Sequence, residues 1–252
     1  MLEETSATSD KKIIPLPIHK NFKDIRKDRQ DNNNKIVYQA LKDNNKKILN
    51  SNINLLEYER TLELLEISEE VFIEKCRVDD LFCKLSASKI SKKSSRQGSK
   101  DEMEQINTCN LTAQKCGLVI SNLSATELRP TKDGSIISKK EMKQKKIQKD
   151  CCLKSFDGKI SGKVNGYISA KVAYGAGGHQ DNVFEEMDTI AEWWEKYKAG
   201  TEEILVLLID TDLKTKFDRL NDKYLSFDNI FVFNHIDFQQ YMIHKYYKDE
   251  SM

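Results

Sequence analysis

The chain has 252 residues, 38% apolar and 32% charged, with 41 lysines and arginines against 40 aspartates and glutamates. That length suits one domain, or one domain with a helical appendage, and the composition excludes a collagen, a disulfide mini-protein and a membrane-spanning protein. The longest strongly apolar run, around Ile204 to Ile209, falls far short of the roughly twenty residues that cross a bilayer, so the sequence reads as soluble. A net charge of +1 gives no global signal for a polyanionic partner. Any basic binding surface must be a local patch offset by acidic patches elsewhere.

Six cysteines occur without a secretory leader, because Met1 to Asp10 is polar and acidic where a cationic start and an apolar core would be needed. The expectation is a cytoplasmic chain with reduced thiols. Cys76 and Cys83, Cys109 and Cys116, and the adjacent Cys151 and Cys152 do not match the short CxxC pairs of zinc sites, which favours buried or incidental thiols.

In chain order, residues 1–34 carry Pro15, Pro17 and the run Asp31-Asn32-Asn33-Asn34, and read as a polar N-terminal arm. Residues 35–85 repeat apolar side chains at helical spacing, as in Ile36, Ala40 and Leu41 or Val71, Phe72, Ile73 and Cys76. This predicts a subdomain of two or three amphipathic helices, one capped by Ser68 ahead of Glu69 and Glu70. Residues 86–100 form a basic, serine-rich segment that leads into an acidic helix start at Asp101 to Glu104. Gly117 to Leu123 reads as a strand, Arg129 to Gly134 as a turn, and Ser138 to Lys149 as a second basic stretch with six lysines.

The rest of the chain is more regular. Lys154 to Ile160 and Gly166 to Ala173 read as a hairpin, and Gly175 to Gly178 as a break. Val183 to Lys198 reads as a helix, with Trp193 and Trp194 packing against the sheet and one of them partly exposed or at an interface. Ile204 to Ile209 suits a strand buried on both faces, Ile230 to Phe233 a further strand, and Asp237 to Tyr247 a closing helix. Helices, strand, hairpin, helix, strand, helix, strand and helix make an α/β layout with a mixed sheet over residues 86–252.

One chemical constellation stands out. Ser169 and Lys171 alternate onto the same face of the second hairpin strand, and Asp157 can approach them across the hairpin. Glu185 follows on the next helix, from which a carboxylate can swing back over the strand. Carboxylates and a lysine converging at a strand suit metal-assisted phosphodiester hydrolysis. Hard oxygen ligands hold Mg²⁺, while the lysine orients or helps deprotonate the attacking water and stabilises the pentacovalent transition state. Asp210 and Asp212 follow an apolar strand as in nucleotide hydrolases, but no GxxxxGK[ST] is present and an ATPase is rejected.

At these residues the chain resembles the type II restriction endonucleases of the PD-(D/E)xK nuclease superfamily. Phe156-Asp157 stands for the first element of the pattern and Ser169-Ala170-Lys171 for the second, with Phe156 in place of proline and Ser169 in place of the acidic metal ligand. In a branch of the family the glutamate moves downstream onto the following helix, which selects Glu185, with Glu186 and Gln180 as competitors. The resemblance further implies a restriction-endonuclease-like fold, a mixed central sheet flanked by helices. It allows Glu102 or Glu104, on a helix before the core, to join the metal site.

The implied activity is Mg²⁺-dependent, site-specific cleavage of double-stranded DNA, leaving 5′-phosphate ends. The implied partners are duplex DNA, a second copy of the chain in a homodimer matching a palindromic site, and a cognate DNA methyltransferase acting on that site. The helices of 35–84 are candidates for the dimer interface or for clamp arms. Arg96 and Gln97 suit bidentate base contacts, Lys92 and Lys93 phosphates, Gly177, Gly178, His179 and Asn182 a loop close to the backbone, and Gln180 a base contact where it is not a metal ligand. The basic stretches 89–100 and 139–149 could line a duplex cleft. The rival readings are a structure-specific repair or resolving nuclease and a non-catalytic DNA-binding module on a degenerate nuclease fold.

Overall fold

The computed structural model describes residues 14–93, 98–123, 128–174 and 178–247, leaving aside the side chains of residues 98 and 178–181. It divides into two compact units, one spanning Lys20–Lys100 and the other combining the residues before Lys20 with those from Asp101 onward.

The Lys20–Lys100 unit is all helical: α1 (Phe22–Lys42), α2 (Lys46–Asn52), α3 (Leu55–Leu65), α4 (Glu69–Val78) and α5 (Asp80–Ile90). Five helices form where the apolar spacing predicted two or three. The reason is local: side chains of Asn21, Asn45, Ser68 and Asp79 accept backbone N–H groups and start new helices at each of these points. α1 begins at Phe22, inside the stretch read as a polar arm, because Asn21 caps it and Phe22 is buried. The core joins Val37, Leu41, Leu49, Ile53, Ile73, Cys76 and Cys83 around Phe72, whose ring meets Tyr58 and Phe82 edge-on at 5.5 Å.

The other unit is α/β. Helix α6 (Gly98–Lys115), which belongs here from Asp101 on, leads to β1 (Leu118–Asn122) and to a ribbon of β2 (Leu128–Pro130) and β3 (Ile136–Ser138). After the short α7 (Lys139–Gln144) come β4 (Gly158–Gly162), β5 (Gly166–Ala173), α8 (Gly178–Lys198), β6 (Ile204–Thr211), α9 (Lys214–Tyr224), β7 (Ile230–Phe233) and α10 (His235–Tyr246). The five-stranded sheet has the order β1-β4-β5-β6-β7. β1, β4 and β5 pair antiparallel, while β5, β6 and β7 run parallel, with α8 and α9 as the crossovers that parallel neighbours require.

Helices cover both faces. On one, Ile106, Cys109, Phe238 and Met242 of α6 and α10 pack on Ile160, Ile168, Ala170, Val206 and Leu208. On the other, Met187, Ile190, Trp194, Leu220 and Tyr224 of α8 and α9 pack on Phe156, Leu205, Leu207 and Ile209. β6 is buried from Ile204 to Asp210, which is why its apolar run is continuous and not alternating. Both tryptophans are buried, Trp193 included, because its indole N–H donates to the Thr131 carbonyl at 2.6 Å. That bond helps seat the ribbon, so the turn read over 129–134 begins only after Pro130. Cys76, Cys83, Cys109 and Cys116 are buried free thiols, and burial pushes all four up, so they are poor thiolates. Among the described residues no helix is long and apolar enough to cross a membrane.

The β5–β6 pairing depends on a bare backbone at Gly166, where an added Cβ would stand 2.3 Å from the Ile204 carbonyl oxygen. Gly166→Ala is therefore expected to cost about 1–3 kcal/mol in urea unfolding. An unchanged midpoint would show that the strands tolerate a wider approach.

Candidate active site

Lys171 projects from β5 on the face that carries Ser169 and Tyr167, two residues before the strand ends. Its ammonium meets three carboxylates: Glu102 Oε1 at 3.0 Å, Glu186 Oε1 at 3.5 Å and Asp157 Oδ2 at 3.8 Å. Three separate segments supply them, namely α6, α8 and the residue that enters β4. All four side chains are only 15 to 21% exposed, so the charges are largely desolvated yet open to solvent.

Asp157 is fixed by its neighbours. Its N–H donates to the Ile168 carbonyl at 2.8 Å, its carbonyl accepts from Leu123 N–H at 2.8 Å, and its Oδ2 accepts from Ala170 N–H at 2.8 Å. The preceding Phe156 is fully buried and stacks on Tyr167 with ring centroids 4.6 Å apart, which anchors the approach to the strand. Glu186 also takes an ion pair from Lys154. Burial raises the Asp157 carboxyl to about 6, helped by the charges of Glu102 and Glu186 and opposed by Lys171 and the Ala170 N–H. Burial pushes the Lys171 ammonium down, but its three carboxylates outweigh that and leave it above the ordinary lysine value, hence protonated at neutral pH.

A carboxyl at about 6 when folded and about 3.9 when unfolded binds its proton more tightly in the native state. Its favourable contribution to folding is complete below about pH 4 and is lost as pH rises through 6. Asp157→Asn keeps an acceptor for Ala170 N–H and removes the charge. In chelator, wild-type stability relative to this variant is expected to fall by up to about 2 kcal/mol between pH 4 and 7. Urea unfolding at several pH values reads it, and a flat difference would rule Asp157 out as the titrating group.

Of the residues selected from sequence, Asp157, Lys171 and Glu102 come together, and Ser169 lies buried on the same strand face. Glu185 does not join them. It is exposed and lines a groove of about 600 Å³ with Asp188, Lys216, Arg219 and Lys223, while its neighbour Glu186 faces Lys171. Successive helical residues point about 100° apart, and the buried Ile190 and Trp193 lie four and seven positions after Glu186, so the phase of α8 selects 186. The apolar phase of α8 carries this signal in the sequence, whereas the spacing from Lys171 alone does not distinguish 185 from 186.

Lys92 and Lys93 are committed within the helical unit, donating to the Ser51 carbonyl at 2.5 Å and the Ser88 carbonyl at 3.0 Å. Asn182 is exposed on α8. Arg96, Gln97 and Gly177 lie outside the described residues, as do the side chains of His179 and Gln180 on α8. Asp210 is no open metal ligand. It is buried, accepting from Gln105 Nε2 at 2.6 Å and lying 2.6 Å from His235 Nδ1, and so ties α6 and α10 to the end of β6.

Among the described residues no three His, Cys, Asp or Glu side chains form a ready metal cage. Asp157, Glu102 and Glu186 nevertheless offer hard oxygen donors around the Lys171 ammonium, and even with Lys154 paired to Glu186 three carboxylates face two ammonium groups, an excess of negative charge that suits a divalent cation. Compared with protein-family models, curated proteins and solved structures, the chain matches none.

Proposed function

We propose that the chain is a Mg²⁺-dependent, site-specific endonuclease of double-stranded DNA, a type II restriction enzyme with a restriction-endonuclease-like core. The observation that carries this reading is the convergence on Lys171 of carboxylates from the hairpin, the preceding helix and the following helix. Mg²⁺ fits the donor set, since Asp157 is held near 6 by burial and by two like charges, a frustration that a cation relieves.

In this reading Asp157, Glu186 and Glu102 hold the ion, which when bound polarises the scissile phosphate and acidifies water. Lys171, protonated, donates to the attacking water and to the anionic oxygens of the transition state. Ala170 N–H keeps the Asp157 carboxylate aimed at the cluster. Phe156 and the core behind it keep the hairpin rigid, so the ligands are placed before substrate arrives. Water attacks phosphorus as the P–O3′ bond breaks, its proton passing to solvent and the 3′ oxygen leaving as a hydroxyl after taking a proton, so the step needs no covalent enzyme intermediate and leaves a 5′-phosphate and a 3′-hydroxyl. A palindromic target would engage two copies of the chain, and a cognate methyltransferase would protect the host site.

Unmethylated phage DNA incubated with the protein, with Mg²⁺ or with chelator, tests the proposal. Discrete fragments only with Mg²⁺ support it, and mapping their ends gives the site. Intact linear DNA in every lane overturns it, and cleavage confined to branched substrates assigns a structure-specific nuclease instead.

A further inference from the structure

Between Leu128 and Lys154 stand nine lysines and arginines and three acidic residues, in a chain whose whole balance is +1. Two of those acids are occupied locally. Glu141 accepts from the N–H and hydroxyl of Ser138 at 2.7 and 2.8 Å, and Asp133 accepts from the Thr131 hydroxyl and from Ser135 N–H at 3.2 Å. Lys139, Lys140, Lys143, Lys145, Lys146 and Lys149 are exposed, and among the described residues none forms an ion pair. Lys139 and Lys140 stand four and three residues before Lys143, so α7 gathers like charges on one side at a cost to its own stability. Lys146 holds φ at +52°, a left-handed conformation that glycine or asparagine adopts more cheaply.

The two ends of this segment are anchored to the elements that carry the site. Trp193 and Tyr197 of α8 donate to the carbonyls of Thr131 and Lys132 at 2.6 and 2.8 Å. Phe156 N–H donates to Leu128 O at 3.0 Å, one residue before Asp157, and Lys154 pairs with Glu186. The helix and the strand entrance that carry two of the carboxylates therefore also hold the basic segment.

We infer that the segment from β2 through α7 to Lys154 is a sequence-independent clamp for the phosphate backbone of duplex DNA; the inference rests on the hydrolytic reading for the choice of DNA. The segment contains no aromatic residue on which unpaired bases could stack. Its aliphatic side chains are buried or half-buried, which leaves none to insert into a lipid surface. What remains is a row of point charges suited to phosphates.

The test is fluorescence anisotropy in chelator with a labelled 30-base-pair duplex of arbitrary sequence, over a range of salt. Replacing Lys139, Lys140 and Lys143 together by alanine is expected to weaken binding at least about tenfold and to flatten the salt slope by about 2 to 3, since each phosphate contact contributes about 0.9. The same three positions as arginine should keep the wild-type slope. Unchanged tryptophan fluorescence and a urea midpoint no lower than the wild type's verify that the alanine variant is folded. If its affinity and slope equal those of the wild type, the clamp is overturned even where the wild type cuts DNA. Lysine-dependent binding without any cleavage sustains the clamp and sinks the hydrolytic reading alone. Lysine-dependent binding to single strands or anionic vesicles but not to the duplex overturns the choice of partner.

Discussion

Lys171→Ala is expected to lower Mg²⁺-dependent cleavage of duplex DNA by about 10²- to 10⁴-fold while leaving duplex binding in chelator near the wild-type level. The ammonium lies within 4 Å of three carboxylates, and in the proposed reaction it acts where charge develops on the phosphate and not where the duplex is gripped. Removing it also leaves three carboxylates facing one another, so the variant should gain more thermal stability from Mg²⁺ than the wild type does. Lys171→Arg should restore part of the charge but little of the rate, because a planar guanidinium cannot take the position of a compact ammonium. Single-turnover cleavage reads the first effect and melting with and without Mg²⁺ the second. Wild-type cleavage by Lys171→Ala would remove this cluster from the chemistry. Glu186→Gln and Glu185→Gln sharpen the test, since only the first should impair cleavage.

The second large effect concerns the wall behind the site. Phe156→Ala should destabilise the α/β unit by about 3–5 kcal/mol, a large share of the 5–15 kcal/mol typical of a domain. Phe156 is fully buried, stacked on Tyr167 and edge-on to Trp194 with centroids 6.3 Å apart, so truncation opens a cavity in the layer between sheet and α8. Phe156→Leu should cost only about 1–2 kcal/mol because most of the volume is retained. The chain's two tryptophans both lie in α8, so their fluorescence follows this unit in urea. A loss under about 1 kcal/mol for the alanine variant would mean that the layer closes around the gap. Because Phe156 directly precedes Asp157, the same truncation should loosen that carboxylate, and cleavage should fall further than the unfolded fraction explains.

Much of the α/β unit was legible in the sequence because its strands are extreme cases. Gly166–Ala173, Ile204–Thr211 and Ile230–Phe233 are rich in aliphatic and β-branched residues, and turn formers sit between β4 and β5. Asp157 and Lys171 could be paired from sequence because a hairpin fixes its own register over a short span. The helical unit was read less finely. Its helices are separated by one to three residues, and whether Asn45, Ser68 or Asp79 starts a new helix depends on capping geometry that periodicity does not register.

The sequence by itself determined the local matters: which segments become strands, which strand carries the lysine, and which residues enter it from the hairpin. Only the tertiary structure decided which glutamate of α8 turns inward, that Glu102 of α6 reaches a lysine 69 positions away, and that Asp210 is locked against Gln105 and His235. It also decided that Thr131 and Lys132, just ahead of the basic stretch, are held by Trp193 and Tyr197 of the helix that carries Glu186. The reason is physical. Local spacing sets side-chain direction within one element to about a turn, whereas the meeting of charges from different elements depends on the phase and packing of whole helices against the sheet, which many residues settle together.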